Sequence, residues 1–151
     1  MTPYRERLVP PPQMFLAVFL VVPAGILTFL PINVLVGFIV GGGLFIALAI
    51  ALVFGSPIIA VDDAGFHAGR ATLYPSEMGT TAAFLDAEAT AERGPRLDAR
   101  AWTLFRGWVH PVIKIELTDL SDPAPYWLVS TRHPQKVTRA IDEIRPRTPG
   151  K

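Results

Sequence analysis

VLVGFIVGGGLFIALAIALVF, residues 34–54, contains no charged, amide or hydroxyl side chain. Its length matches the roughly 20 residues that a helix needs to cross a bilayer core. Reading toward the N-terminus, Pro31, Ile32 and Asn33 interrupt the run. Before them MFLAVFLVVPAGILTFL, residues 14–30, is equally apolar. It reaches spanning length if its helix starts near Pro11, since proline is tolerated in a first turn. No Asp, Glu, Lys or Arg occurs from Leu8 to Val61. These two runs predict a transmembrane helical hairpin over residues 14–54, which satisfies its own backbone hydrogen bonds as lipid demands. Two buried helices of a water-soluble core would need more covering chain than remains. A cleaved signal peptide, with Arg5 and Arg7 as its basic end, lacks a small-residue cleavage site near Leu30, and a second apolar run follows at once.

Two spans place both flanks on one side. Arg5 and Arg7 precede the first span and the turn between the spans is uncharged. The positive-inside rule therefore predicts a cytoplasmic-membrane protein with both termini in the cytoplasm. Gly37 and Gly41 stand four apart in the second span, and Ala47 and Ala51 repeat the spacing. Small residues so placed let helices approach closely. The seam serves either the first span of the same chain or a membrane partner, including a second copy. Pro23 predicts a kink in the first span. Neither span holds an ionisable residue, which argues against a self-contained transporter or pump.

After Gly55, Ser56 and Pro57 the period changes. PIIAV and FHAG read as strands around a DDAG turn, with Asp62 and Asp63 as turn formers, and RATLYP as a further strand. Residues 81–93 are ambiguous between strand and helix. RGPRLDAR, residues 93–100, reads as a polar loop. Ile113, Ile115 and Leu117 alternate with Lys114, Glu116 and Thr118, as in a strand with one wet face. Val112–Leu117 is expected to pair with residues 126–131 as a β-hairpin. Val137, Ala140, Ile141 and Ile144 form one stripe of a helix that starts at Pro134 and stops at Pro146. The fold class is thus an α+β membrane protein. Its divisions are an N-terminal cytoplasmic segment (1–13), the hairpin (14–54), a small antiparallel β domain with a C-terminal helix (55–146) and a flexible tail (147–151). A strand meander closed by one amphipathic helix is the layout of pleckstrin-homology-like domains.

Chemistry-bearing patterns are sparse. PYWLVSTRHP, residues 125–134, sets Ser130 near His133, but Ser130 lacks the flanking glycines of a nucleophile elbow. It reads as a strand end entering a helix. His67, His110 and His133 lack metal-ligand spacing, there is no cysteine, and no phosphate-binding glycine loop joins a strand to a helix. No catalytic, cofactor or metal residue is predicted. The net charge of +1 gives no basis for nucleic-acid binding.

The order of features resembles a family of small actinobacterial membrane proteins of unknown function. The resemblance rests on YRERL (residues 4–8), two spans, AGRA (68–71), an Asp-Pro loop and PYWLVSTRHP. It implies a cytoplasmic-membrane location and an actinobacterial source, and it carries over no catalytic residue. It draws notice to Arg5, Glu6 and Arg7, where an acid between two arginines beside the bilayer suggests an ion-pair partner on the soluble domain.

Three functional readings follow. The first is a non-enzymatic scaffold or accessory subunit held at the membrane by the hairpin. A lipid head-group or small-ligand module is the second, using Arg93, Arg96, Arg100 and Arg106 with Trp102 and Trp108. The third is an enzyme built around Asp119, Asp122 and His133.

Overall fold

The computed structural model describes residues 4–145, so Pro146 and the tail expected at 147–151 lie outside the described residues. The chain divides into two compact units. One holds Val9–Ser56; the other joins the residues up to Leu8 to those from Pro57 onward.

The described chain begins with a strand, β1 (Tyr4–Arg7), and then enters the apolar unit. There α1 (Pro12–Phe19), α2 (Val21–Phe29) and α3 (Val34–Phe54) follow. Pro12 opens α1 at a position where its missing N–H costs nothing. The first apolar run breaks at Leu20, three residues before Pro23. Pro23 cannot donate to Phe19 O, four residues back, and at the break Leu20 N donates to Ala17 O at 3.3 Å. Asn33 caps α3 by accepting from Leu35 N at 2.8 Å, and Thr28 Oγ1 donates to Ala24 O at 2.8 Å, so these polar groups are satisfied locally. Residues 12–29 and 34–54 are both long and apolar enough to cross a membrane. Leu16, Leu27, Leu35, Ile39 and Ile46 stand exposed along them.

Gly37 and Gly41 are buried where α3 meets α2. A Cβ on Gly41 would sit 2.8 Å from Val22 O, and one on Gly37 2.7 Å from Ile26 Cα. Gly25 faces them, its own Cβ position 2.8 Å from Gly41 Cα. This part of the small-residue seam is filled by the same chain. Ala47 and Ala51 are exposed.

The other unit contains β2 (Ile58–Asp62), β3 (Gly65–Ala68), β4 (Ala71–Leu73), β5 (Met78–Phe84), α4 (Asp86–Arg93), β6 (Trp102–Leu104), β7 (Val112–Leu117), β8 (Tyr126–Ser130) and α5 (Pro134–Ile144). The order β1-β2-β3-β4 makes an antiparallel sheet; β5-β7-β8-β6 makes a mixed one. The ambiguous residues 81–93 are both things: strand to Phe84, helix from Asp86.

The expectation of a purely antiparallel β domain is corrected at β6, which runs parallel to β8. Strands β6 and β7 are the legs of an open hairpin, and β8 lies between them. The loop joining the legs arches over the end of β8: Arg106 N donates to Ser130 Oγ at 3.3 Å and Thr131 N to Pro111 O at 3.1 Å. All five β8 residues are buried. Alternation sends Trp127 and Val129 into the main core and Tyr126 and Leu128 into a second cluster with Ala89 of α4 and Val112. The main core gathers Leu8, Ile59, Val61 and Phe66 from the first sheet region, Ile113 and Ile115 from the second, and Val137, Ala140 and Ile141 from α5.

Candidate functional site

The first sheet buries Ile59, Val61, Phe66, Ala68 and Leu73 on one face. Pleating then sends their neighbours to the other. The register pairs Arg5 with Ala60, Ala60 with His67 and His67 with Thr72, one row across four strands. Ala60 is the short member of that row. Over it opens a groove of about 500 Å³, bordered by Tyr4, Arg5, Ile58, Asp62, His67 and Gly69. Gly69 has φ +64° in the β3–β4 turn, a conformation that glycine adopts without a steric cost.

His67 is held from both sides. Its Nε2 lies 3.1 Å from Asp62 Oδ1 and its Nδ1 2.9 Å from Thr72 Oγ1. Asp62 Oδ1 also accepts from Ala64 N at 2.9 Å and Gly65 N at 3.2 Å, which closes the β2–β3 turn. The His67 hydrogen bond and these amides hold the Asp62 carboxyl below the usual carboxylate range. An ionised Asp62 accepts the Nε2 proton, leaving Nδ1 to accept from the Thr72 hydroxyl. Asp62 is thus a turn former, as its sequence suggests, and also the anchor of a fixed imidazole. Counting the register outward from the Ala68–Ala71 turn would have placed His67 and Thr72 beside one another.

A second constellation ties β1 to the end of β8. The nearly buried Glu6 carboxylate accepts from Thr131 Oγ1 at 2.6 Å, Tyr4 Oη at 2.9 Å and Arg132 N at 3.2 Å; Arg132 Nη1 stands 3.5 Å away. Arg132 Nη1 also donates to Arg7 O at 3.3 Å. Burial is the main cause pushing the Tyr4 phenol up to about 12, with the neighbouring Glu6 acting in the same direction. The partner that Glu6 calls for is therefore Arg132, in the STR phrase. The sequence marks Thr131 only as a strand end or helix cap and Tyr4 only as the start of YRERL; their role as Glu6 partners depends on a strand too short and too charged to show a period.

The arginines and tryptophans picked from residues 93–108 have structural partners. Arg93 Nη1 donates to Val109 O at 3.1 Å, and its guanidinium lies 5.0 Å from the Phe105 ring centroid. Arg96 meets Glu88 at 2.6 Å and Glu92 at 3.5 Å, while Arg100 meets Asp98 at 2.9 Å. Arg100 holds the Asp98 carboxyl down to about 2. Arg106 Nη1 donates to Phe105 O at 2.9 Å. Trp102 stacks on Trp127 at 4.0 Å, and Trp108 Nε1 donates to Leu8 O at 3.1 Å. Asp119 and Asp122 accept from Ser121 N and Ala124 N within their own loop, each at 2.8 Å, and His133 stands at the N-cap of α5. Among the described residues no group of three or more His, Asp or Glu side chains is placed to hold a metal ion.

Comparison with protein families matches residues 3–141 to one described as Protein of unknown function (DUF3093). The chain belongs to this family. The match takes in β1, the apolar unit, both sheets and α5 as far as Ile141, so it covers the groove and the Glu6 cluster together. No curated protein and no solved structure matches the chain.

Proposed function

We propose that the protein is a membrane-anchored, non-enzymatic module. Its helical hairpin, with α1 and α2 as one span and α3 as the other, crosses the cytoplasmic membrane twice, and its β unit works on the cytoplasmic side as a scaffold or accessory subunit of a membrane complex. The observation that carries this reading is the pairing of β1 with β2. Arg7 faces Ile58 across the ladder and Leu8 N donates to Pro57 O at 3.0 Å. The chain thus leaves one sheet for the apolar helices and returns to the adjacent strand. That supports an even number of crossings and a β unit tied to its anchor by two strands. Two sheets with α5 packed into their core also support the pleckstrin-homology-like arrangement. With Gly37 and Gly41 engaged internally, a membrane partner or second copy would use another face of the helices.

Affinity purification of the tagged full chain from its native membrane tests the reading. A protein recovered in stoichiometric amount, and lost when β-unit surface residues are changed, is the expected result. Recovery of the chain with lipid alone would contradict the scaffold role. The ligand-binding reading keeps a place beside it because Arg5 lines an open groove and makes no hydrogen bond or ion pair with any other described residue. That support sits on the first sheet, away from the arginines of residues 93–106.

A further inference from the structure

The outer face of the first sheet holds two opposite charges that do not meet. Arg5 has no partner among the described residues. The hydrogen bonds to Asp62 from His67, Ala64 and Gly65 all end on Oδ1, which leaves Oδ2 open on a half-exposed side chain. Arg5 is in register with Ala60, and Asp62 lies two residues further along the same strand. Strand geometry separates the two Cα atoms by about 8 Å along that diagonal. The floor between them is Ala60, with Ile58 as its apolar end. The far wall is His67, about 10 Å from Arg5 across two strand spacings and fixed by Asp62 and Thr72.

Opposite charges close enough to share one small molecule, yet not paired with each other, suit a zwitterion. We propose that this groove binds a phosphoethanolamine-type group. Its phosphate lies on the Arg5 guanidinium, which matches phosphate oxygens in a planar fork. Its primary ammonium donates to Asp62 Oδ2, and its ethylene link crosses Ala60. A simple phosphate would meet repulsion from Asp62, and a quaternary ammonium has no proton to donate there. Ile58 follows Phe54 after only Gly55, Ser56 and Pro57, so a phospholipid head group is one source of this chemistry. A free phosphoethanolamine-type zwitterion is the other. The lipid source rests on the membrane-anchored reading above; the groove chemistry does not.

The test uses the full chain in mixed micelles holding equal amounts of phosphatidylethanolamine, phosphatidylcholine and phosphatidylglycerol, with bound lipid read by native mass spectrometry. The expected result is at least a tenfold preference for phosphatidylethanolamine. Asp62→Asn, which keeps the Oδ1 acceptor of the turn, should erase the preference over phosphatidylcholine. Arg5→Gln should lower phosphatidylethanolamine binding about tenfold. Both variants should keep the thermal transition of the parent. A parallel titration with soluble phosphoethanolamine assigns the source: binding there without a lipid preference points to the free zwitterion. Alkaline extraction of native membranes separately judges the anchor. If the parent shows no preference among the three lipids, and soluble phosphoethanolamine either does not bind or binds the parent and both variants equally, the site is overturned.

Discussion

Glu6 shows how one side chain decides what a charged N-terminal segment becomes. A bilayer-flanking cluster needs only positive charge, yet this acid is nearly buried and accepts from Thr131, Tyr4 and the Arg132 amide. Glu6→Ala strands the Thr131 hydroxyl, which is itself fully buried, and removes a charge-assisted contact. The expected loss is about 1.5–3 kcal/mol, read by denaturant or thermal unfolding of the β unit in the intact chain. Tyr4 adds a pH-dependent consequence. Its phenol is raised from 10.0 to about 12, so the folded state holds its proton longer than the unfolded state does. That stabilisation is fully present below pH 10 and is lost as pH rises toward about 12. Ultraviolet titration of the parent minus Tyr4→Phe should show one phenol ionising near the upper value. A difference curve centred near 10 would mean that the hydroxyl faces water.

At the scale of elements, the hairpin depends on backbone proximity at Gly25, Gly37 and Gly41, where even one added carbon meets main-chain atoms. Gly42 and Gly43 have nothing within 4 Å of a Cβ. Gly41→Ala should therefore lower the thermal stability of the purified chain by an overpacking cost of about 1–3 kcal/mol, while Gly43→Ala should not. Equal effects would place the helix contact elsewhere. In the β unit, α5 buries Val137, Ala140 and Ile141 against both sheets. Ile141→Ala should cost about 2–5 kcal/mol, and Ile141→Asp should cost more by burying an unpaired charge. An unchanged transition in Ile141→Asp would free that face for a partner. These elements were legible because their patterns are long: uninterrupted apolar runs, an i, i+3, i+4, i+7 stripe, and two alternating strands. β1 was not legible, since YRER offers no apolar alternation and its inward residues are satisfied by Thr131 and Arg132, more than a hundred positions away. The parallel β6 was hidden for a related reason. Nothing local tells a strand that a later one will be inserted beside it. The groove lay between: Asp62 showed as a turn residue and Arg5 as a basic flank, but their shared face required the β1–β2 register.

For the whole molecule, the proposed topology is two membrane crossings, with the β unit and both ends in the cytoplasm. Two features bear on it together. Large apolar side chains stay exposed along α1–α3, and the flanks of that apolar unit are neighbouring strands of one sheet. The native sequence has no cysteine, so single introduced thiols report without background. Ile32, in the turn between the two apolar runs, is 76% exposed, and Leu120, at a β-unit loop tip, is 100% exposed. The most direct measurement is labelling of Ile32→Cys and Leu120→Cys chains in intact cells with a membrane-impermeant maleimide, repeated after lysis. With this topology Ile32→Cys is labelled in intact cells and Leu120→Cys only after lysis. Labelling of Leu120→Cys in intact cells, with Ile32→Cys protected until lysis, would contradict it.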